Sequence, residues 1–306
     1  MIELEVLNTL KRNDPDGHWH CVTLLEWFTY RGHVCMAFEK LGPSLFDFLR
    51  KNRYKPFPMD YVQSFSLQLI EAVAYLHRLA LVHTDLKPEN ILLATAGYQK
   101  ISNNPRVGKR IPETDRLRLI DFGSATFEEQ YHSTIVSTRH YRAPEVILGL
   151  GWSYPCDMWS IGCIIVELIT GDALFQTHEN MEHLAMMEAV LGRIPEKMAL
   201  RASRHSSKYI YKNRLDWPGR ASSSESIRAV EKMVSLKEVI GDSGDLKFFP
   251  ALQGPLLDLL SGLLQYEPEN RMTAEEALQH SFFSQTAKET VMQARLQRTT
   301  AVASAE

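Results

Sequence analysis

His83-Thr84-Asp85-Leu86-Lys87-Pro88-Glu89-Asn90-Ile91-Leu92-Leu93 is the run on which the reading of this 306-residue chain turns. It sets a carboxylate, an ammonium and an amide close together, at Asp85, Lys87 and Asn90, and closes on an apolar stretch. Downstream come Asp121-Phe122-Gly123 and then Ala143-Pro144-Glu145. A short motif alone is weak, but three of them in a fixed order are far more specific than any packing pattern.

Working outward, Ile2, Val6, Leu7 and Leu10 recur at helical spacing and predict a short helix that ends before the polar stretch Lys11 to Gly17. Cys21 to Phe28 and His33 to Glu39 are β-rich runs around Tyr30-Arg31-Gly32, which predicts a hairpin. Ser44 and Asp47 have capping-box spacing for a helix Leu45 to Lys51, and Tyr61, Val62, Phe65, Leu69, Val73 and Leu76 mark a long amphipathic helix after Pro58. Mostly helices follow: Asp157 to Thr170 closed by Gly171, Glu182 to Leu191 closed by Gly192, Pro255 to Leu264, and Ala274 to His280 with Thr273 and Glu276 as its capping box. Two polar segments, Gly97 to Leu117 and Arg201 to Gly244, are expected as surface insertions, and Gln285 to Glu306 as a frayed helix or tail.

Composition excludes several classes. With 34 Lys plus Arg against 37 Asp plus Glu, net charge −3 and 44% hydrophobic residues, the chain is too apolar to be disordered and too balanced to coat nucleic acid. At roughly 150 residues per domain its length allows about two domains or lobes. Cys21, Cys35, Cys156 and Cys163 lie in or beside apolar runs without CxxC spacing, so neither a disulfide framework nor a zinc knuckle is expected and a reducing compartment fits. The eleven histidines show no paired ligand spacing, so no transition-metal site is expected. The apolar stretch Met158 to Thr170 is too short to span a bilayer, and Met1-Ile2-Glu3-Leu4-Glu5 lacks a signal-peptide pattern. The protein reads as soluble and intracellular.

The three motifs are together the signature set of protein kinases, a family the chain resembles. Ser137-Thr138-Arg139-His140-Tyr141-Arg142 before Ala143, and above all Glu182-His183-Leu184-Ala185-Met186-Met187-Glu188, are similar to the LAMMER (cdc-like) kinases, as are Lys40 to Leu49 and Asp121 to Thr126. That family's name motif continues with Arg where this chain has Ala189, a departure that bears on subfamily or substrate detail. The resemblance runs from about residue 1 to 283 and implies an α+β, protein-kinase-like bilobal fold with a truncated N-terminal β lobe and a mainly helical C-terminal lobe. Residues 1–42 then form the small-lobe remnant, with an αC-type helix, hairpin and hinge; 43–283 form the large lobe with insertions near 97–117 and 201–244, and 284–306 a tail.

Phosphoryl transfer from ATP asks a protein for positioning and charge stabilisation more than for covalent participation. On the resemblance, Asp85 accepts or orients the proton of the substrate hydroxyl, Lys87 lies beside the transferred group, and Asn90 and Asp121 hold Mg²⁺ through hard oxygen ligands. It further implies Phe38 as the gatekeeper behind the adenine, backbone groups of Glu39 and Leu41 on the adenine edge, Ser44 and Asp47 near the ribose, and Leu92 and Ile120 as floor and back of the pocket. Glu145 with Arg271 resembles the family's buried ion pair, and Asp157 the residue that holds the catalytic loop's backbone. Thr84 stands where many kinases carry an Arg that binds an activation-loop phosphate, so the segment Asp121 to Glu145 is expected to keep its active shape without one, with Thr138 bonded near Asp85 and Lys87.

The implied partners are protein substrates, chiefly Arg/Ser-rich splicing proteins, with ATP and Mg²⁺ as cofactors, no direct nucleic acid, no membrane, and a monomeric nuclear protein that is also compatible with the cytoplasm. Acidic Glu128-Glu129 beside the activation segment reads as a solvated acidic loop, with attraction of Arg-rich peptides as the alternative. Glu3 occupies the position of the αC-type glutamate, yet the 306 residues contain no GxGxxG and the nearest lysine, Lys11, follows it. The expectation is therefore an N-terminally shortened kinase of weak or absent activity with an uncovered apolar hairpin. The alternative is a non-catalytic isoform that binds substrate or partner.

Overall fold

The computed structural model describes residues 2–100, 110–202, 204–219, 222–241, 243 and 246–290. The chain opens on α1 (Ile2–Asn13), which buries Val6, Leu7 and Leu10 and runs past the expected stop at Lys11, because Lys11 and Arg12 suit the negative end of the helix dipole. An antiparallel hairpin follows, β1 (Leu24–Tyr30) and β2 (His33–Phe38), with a bulge between Leu24 and Glu26. Cys21, placed in the first strand by the sequence, instead bridges Leu119 in parallel and ties the hairpin's root to the sheet behind the site. The hairpin leaves Leu25, Trp27, Phe28 and Tyr30 exposed, the apolar surface expected from the sequence.

The chain then turns at Gly42, whose added Cβ would collide with the Thr95 carbonyl, so no larger residue fits between the two strands of chain there. Helix α2 (Leu45–Lys51) starts on Ser44, whose hydroxyl accepts from the Asp47 N–H. The reciprocal half of the expected capping box is missing, since the Asp47 carboxylate turns to Arg50. Helix α3 (Met59–Arg78) buries one long face and leads into short antiparallel ladders: β3 (Leu81–Val82) with β8 (Thr126–Phe127), and β4 (Ile91–Leu93) with β7 (Leu117–Leu119). Between them lies the hairpin β5 (Tyr98–Lys100) and β6 (Arg110–Pro112), which belongs to the expected insertion at 97–117; residues 101–109 of it are outside those described.

Helix α4 (Pro144–Leu148) precedes α5 (Pro155–Thr170), the axis of the second half, in which every residue from Cys156 to Ile169 is buried. A helix buried all round is a core helix, and the turn after it requires Gly171, at φ 90° and pressed against the Tyr54 carbonyl. Cys156 and Cys163 are packed inside it as free thiols whose pKa burial pushes up. Helix α6 (Asn180–Leu191) carries the Glu182 to Glu188 motif; its His183 is fully buried against Phe175, and neither ring nitrogen has a hydrogen-bond partner among the described residues.

The segment at 201–244 is more structured than a surface insertion. After α7 (Glu196–Arg201), it folds into a hairpin, β9 (Ile210–Tyr211) with β10 (Arg214–Leu215), then α8 (Ser224–Glu231) and α9 (Leu236–Gly241), with Val230, Leu236 and Ile240 in the core. Helix α10 (Pro250–Leu263) begins five residues before the expected Pro255, because Pro250 takes the N1 position that suits proline, while Pro255 is tolerated inside. Helix α11 (Ala274–Leu278) has the complete Thr273/Glu276 capping box. Of the expected tail, 285–290 is helical and 291–306 lies outside the described residues. No helix among the described residues is long and apolar enough to cross a membrane.

Candidate active site

The site is assembled by β4, β7 and the loops that flank them. Asp157, at the start of α5 and 1% exposed, accepts from the backbone N–H of His83 at 2.9 Å and of Thr84 at 2.9 Å, so a buried helix end fixes the loop before Asp85. Thr84 is thereby held at φ 69°, a left-handed conformation that costs a β-branched residue on the order of 1–3 kcal/mol. Its hydroxyl donates to Ser124 O and its carbonyl accepts from Ser137 Oγ, which closes the loop onto the following segment. His83 Nδ1 accepts from the Asp85 N–H, which leaves Nε2 to donate to Ile120 O at 3.1 Å and ties the two motif-bearing loops together.

Within this frame the charged groups converge. Lys87 Nζ lies 2.6 Å from Asp85 Oδ2 and donates to Thr138 Oγ1 at 3.1 Å. The Thr138 N–H and hydroxyl both donate to Asp85 Oδ1, at 2.8 and 2.7 Å. Burial alone would raise the Asp85 pKa, but the hydrogen bonds from Lys87 and Thr138 and the Lys87 charge outweigh it and hold the carboxyl below its usual 3.8. Asp85 is therefore ionised at neutral pH, ready to orient a hydroxyl proton.

Asn90 is buried, and its amide nitrogen donates to Asp85 O at 3.0 Å, which fixes the amide beside Asp85 with its carbonyl oxygen as a hard oxygen ligand. Asp121 stands at φ 64° and accepts from the Gly123 N–H at 3.4 Å. An amide oxygen and a carboxylate suit a hard divalent ion that keeps water and phosphate oxygens in its shell. No group of three or more His, Cys, Asp or Glu among the described residues is arranged to hold a metal.

Beside these groups is a cavity of about 370 Å³ lined by Glu3, Phe38, Glu39, Leu41, Leu92, Ile120 and Asp121, and also by Leu7, Val22 and Phe122. The hairpin ladder ends at Phe38, so the backbone of Glu39 and Leu41 lies outside it, at the cavity's edge. Ser44 and Asp47 are not among its walls: they are engaged at the N-terminus of α2, one bridge away at Leu92. Leu7, Val22 and Phe122 are walls that sequence reasoning did not name. Leu7 has only a core signal, and Val22 comes into place through tertiary contact, its N–H donating to Leu119 O.

Glu3 faces Asp121 across Gly123, and its pKa is raised above 4.5 by burial and then by the Asp121 charge. Lys11 does not relieve it, for its ammonium donates to Leu25 O at 3.0 Å. Of the acidic pair at 128–129 only Glu129 is exposed; Glu128 is half-buried and accepts from Ser153 Oγ.

The second half of the site rests on the buried ion pair of Glu145 and Arg271, a two-pronged contact of 2.7 and 2.8 Å. Arg142 donates to Val136 O and Ser137 O, and Trp152 Nε1 to Ser133 O, so two side chains hold the backbone of the segment from 121 to 145.

The family model that describes the protein kinase domain matches residues 1–283. The serine/threonine-protein kinase AFC1 of Arabidopsis thaliana is 54% identical over 301 residues, covering 95% of this chain and 63% of its own length. The dual specificity protein kinase CLK2 of Homo sapiens is 48% identical over 284 residues, covering 92% of this chain and 55% of its own. The crystal structure of a kinase domain with 38% sequence identity superposes with a TM-score of 0.83 and covers 92% of this chain and 82% of that one. The chain thus spans between about half and two thirds of the length of these curated relatives.

Proposed function

The chain belongs to the protein kinase family, in its LAMMER (cdc-like) group, and on that premise we propose that it transfers the γ-phosphate of ATP to serine and threonine hydroxyls of proteins, with Mg²⁺ as the cation and Arg/Ser-rich splicing proteins as substrates. The observation that carries this reading is the convergence of Asp85, Lys87 and Thr138 beside Asn90, Asp121 and the 370 Å³ cavity. In it, Asp85 takes or orients the hydroxyl proton while Lys87 supplies positive charge at the reacting oxygen atoms. Asn90 and Asp121 would hold the cation, which supplies charge neutralisation on the phosphates when bound. The apolar walls at Phe38, Leu92 and Ile120 would take the base and exclude water from it. The substrate class, and nuclear residence with it, rests on family membership alone.

A second reading is favoured by Glu3, which faces Asp121 with no cation beside it among the described residues. No lysine among the described residues pairs with it, and the 306 residues contain no Gly-rich phosphate loop, each a preorganised donor whose loss costs ~10²–10³ in rate. Phosphotransfer by these residues alone is then weak, and substrate or partner binding is their main activity. A radiolabel transfer assay with Mg-ATP and an Arg/Ser-rich peptide, beside a full-length relative, separates the readings. Transfer that Asp85→Asn abolishes supports the enzyme; turnover equal to the full-length relative overturns the second reading, and none at all overturns the first.

A further inference from the structure

The segment that follows α7 carries Arg204, His205, Lys208, Lys212 and Arg214 on the surface, with no Asp or Glu between Arg201 and Leu215. All five are exposed. Among the described residues none of the four lysines and arginines is held by a carboxylate, although Glu196 is within reach of the hairpin tip: it accepts instead from Asn213 Nδ2 at 3.0 Å. In a chain of net charge −3 this is a local concentration of unpaired positive charge.

The hairpin gives it a fixed shape. Lys212 and Asn213 both have positive φ, 48° and 62°, the two-residue turn whose twist matches its strands. Ile210 and Leu215 are paired and partly buried on the core side, while Tyr211 and Arg214 are paired and exposed on the other. The Lys208 ammonium sits 5.1 Å above the Tyr209 ring and that of Lys212 5.2 Å above the Tyr211 ring, which keeps two long side chains upright at the surface.

The root of this hairpin is joined to the active site by one residue. Asn180 donates to the Tyr209 hydroxyl at 3.3 Å and accepts from Arg139 Nη1 at 2.6 Å, and Arg139 follows Thr138, which is bonded to Asp85. Ser206 Oγ anchors the same loop to Ile147 O at the end of α4. A peptide presented at Asp85 and leaving past Arg139 would therefore run onto the basic hairpin.

We propose that this hairpin is a phosphate-reading surface, which binds phosphoserine in a substrate segment flanking the residue to be phosphorylated. Phosphoserine carries between about −1.5 and −2 charges and three acceptor oxygens, the partner that unpaired lysine and arginine side chains fit. A single-stranded nucleic acid offers the same charge but binds through bases stacked on bare aromatic faces, and here a lysine already covers each tyrosine ring. The inference rests on the kinase reading for the substrate, since a kinase acting on serine-rich segments generates this ligand itself.

The test is a binding measurement that needs no phosphotransfer. Fluorescence anisotropy compares one labelled Arg/Ser peptide with versions carrying phosphoserine at successive positions on either side of the acceptor, at near-physiological salt. The parent chain is expected to prefer the best phosphorylated version about tenfold, with the preference lost in Lys208→Gln/Lys212→Gln/Arg214→Gln and reduced in the single tip variant Lys212→Glu. Equal affinity for all versions, or a preference that survives in both variants, overturns the proposal. So does a single-stranded RNA oligonucleotide that binds as tightly as the phosphopeptide and depends equally on these residues. Should transfer of phosphate fail while the preference persists, the kinase reading falls and the phosphate-reading surface stands.

Discussion

Thr138 binds Asp85 twice, through its N–H at 2.8 Å and its hydroxyl at 2.7 Å to the same oxygen. The relationship joins the two loops that would flank a substrate hydroxyl, and it leaves Asp85 Oδ2 to Lys87. Thr138→Val removes the hydroxyl while retaining the N–H and the shape of the side chain. We expect a fall in kcat of ~10–100-fold, the scale of one misplaced positioning contact, with little change in Tm; Thr138→Ser restores the rate. A steady-state assay on an Arg/Ser peptide reads both, and an unchanged kcat in the valine variant contradicts the assignment.

The segment from 121 to 145 is expected to work unphosphorylated. Besides the bonds of Thr138 to Asp85, Arg142 holds Val136 O and Ser137 O and Trp152 holds Ser133 O. Ser133→Ala/Thr134→Ala is predicted to keep the parent rate, whereas Arg142→Lys, which cannot span both carbonyls with one planar fork, is predicted to lower it. A rate lost in the double alanine variant would show a phosphate dependence that the geometry does not contain.

Glu145 and Arg271 are 1% and 3% exposed, and each is the other's charge partner. Arg271→Met leaves a carboxylate buried without a cation, and the expected cost is about 3–5 kcal/mol in urea unfolding. Glu145→Gln/Arg271→Met removes both charges and is predicted to recover a large part of that loss. If the single variant unfolds within about 1 kcal/mol of the parent, the pair does not carry the large-lobe core as argued.

Two buried groups set opposing pH dependences. The Glu167 pKa is raised from 4.5 to about 7 by burial and the nearby charges of Glu89 and Asp172, against the lowering effect of the Tyr141 hydrogen bond. The native state therefore holds a proton that the unfolded chain has released, and stability falls as pH rises from about 4.5 to 7. His183, by contrast, is lowered from 6.5 to about 3 by burial and by Arg142, His140 and Arg139, so it removes stability as pH falls below 6.5. Glu167→Gln isolates the first effect. Relative to the parent it should gain on the order of 2 kcal/mol between pH 5 and pH 8 in denaturant titrations, and a constant difference across that range contradicts a protonated Glu167.

The residues with chemistry were legible before the structure because phosphate and metal handling admit few side-chain types at few spacings. Asp85, Lys87, Asn90 and Asp121 stand in two short runs that a backbone ladder, β4 with β7, places side by side. The helices were legible where a cap or a glycine closes an apolar stripe, as at Thr273 and Gly171. What could not be read is what tertiary contact decides. Val22 reaches the cavity through the Leu119 carbonyl, and Cys21 leaves the hairpin for a bridge with Leu119. The polar segment at 201–244 hid its buried Val230, Leu236 and Ile240 among serines and charges, because three well-spaced apolar residues suffice to dock a short helix pair. His183 sits inside the most distinctive motif, yet it packs against Phe175 and touches none of the reacting groups.

Asn90 and Asp121, with the cavity behind them, are predicted to form a nucleotide and cation site in this chain. Thermal unfolding with and without Mg-ATP tests it most directly. At a nucleotide concentration about 100-fold above Kd, binding adds about 2.7 kcal/mol. A rise in Tm of several degrees is predicted, one that requires the cation, is abolished by Asp121→Ala and is retained by Asp85→Asn. No shift with Mg-ATP, or a shift that Asp121→Ala leaves intact, contradicts the account.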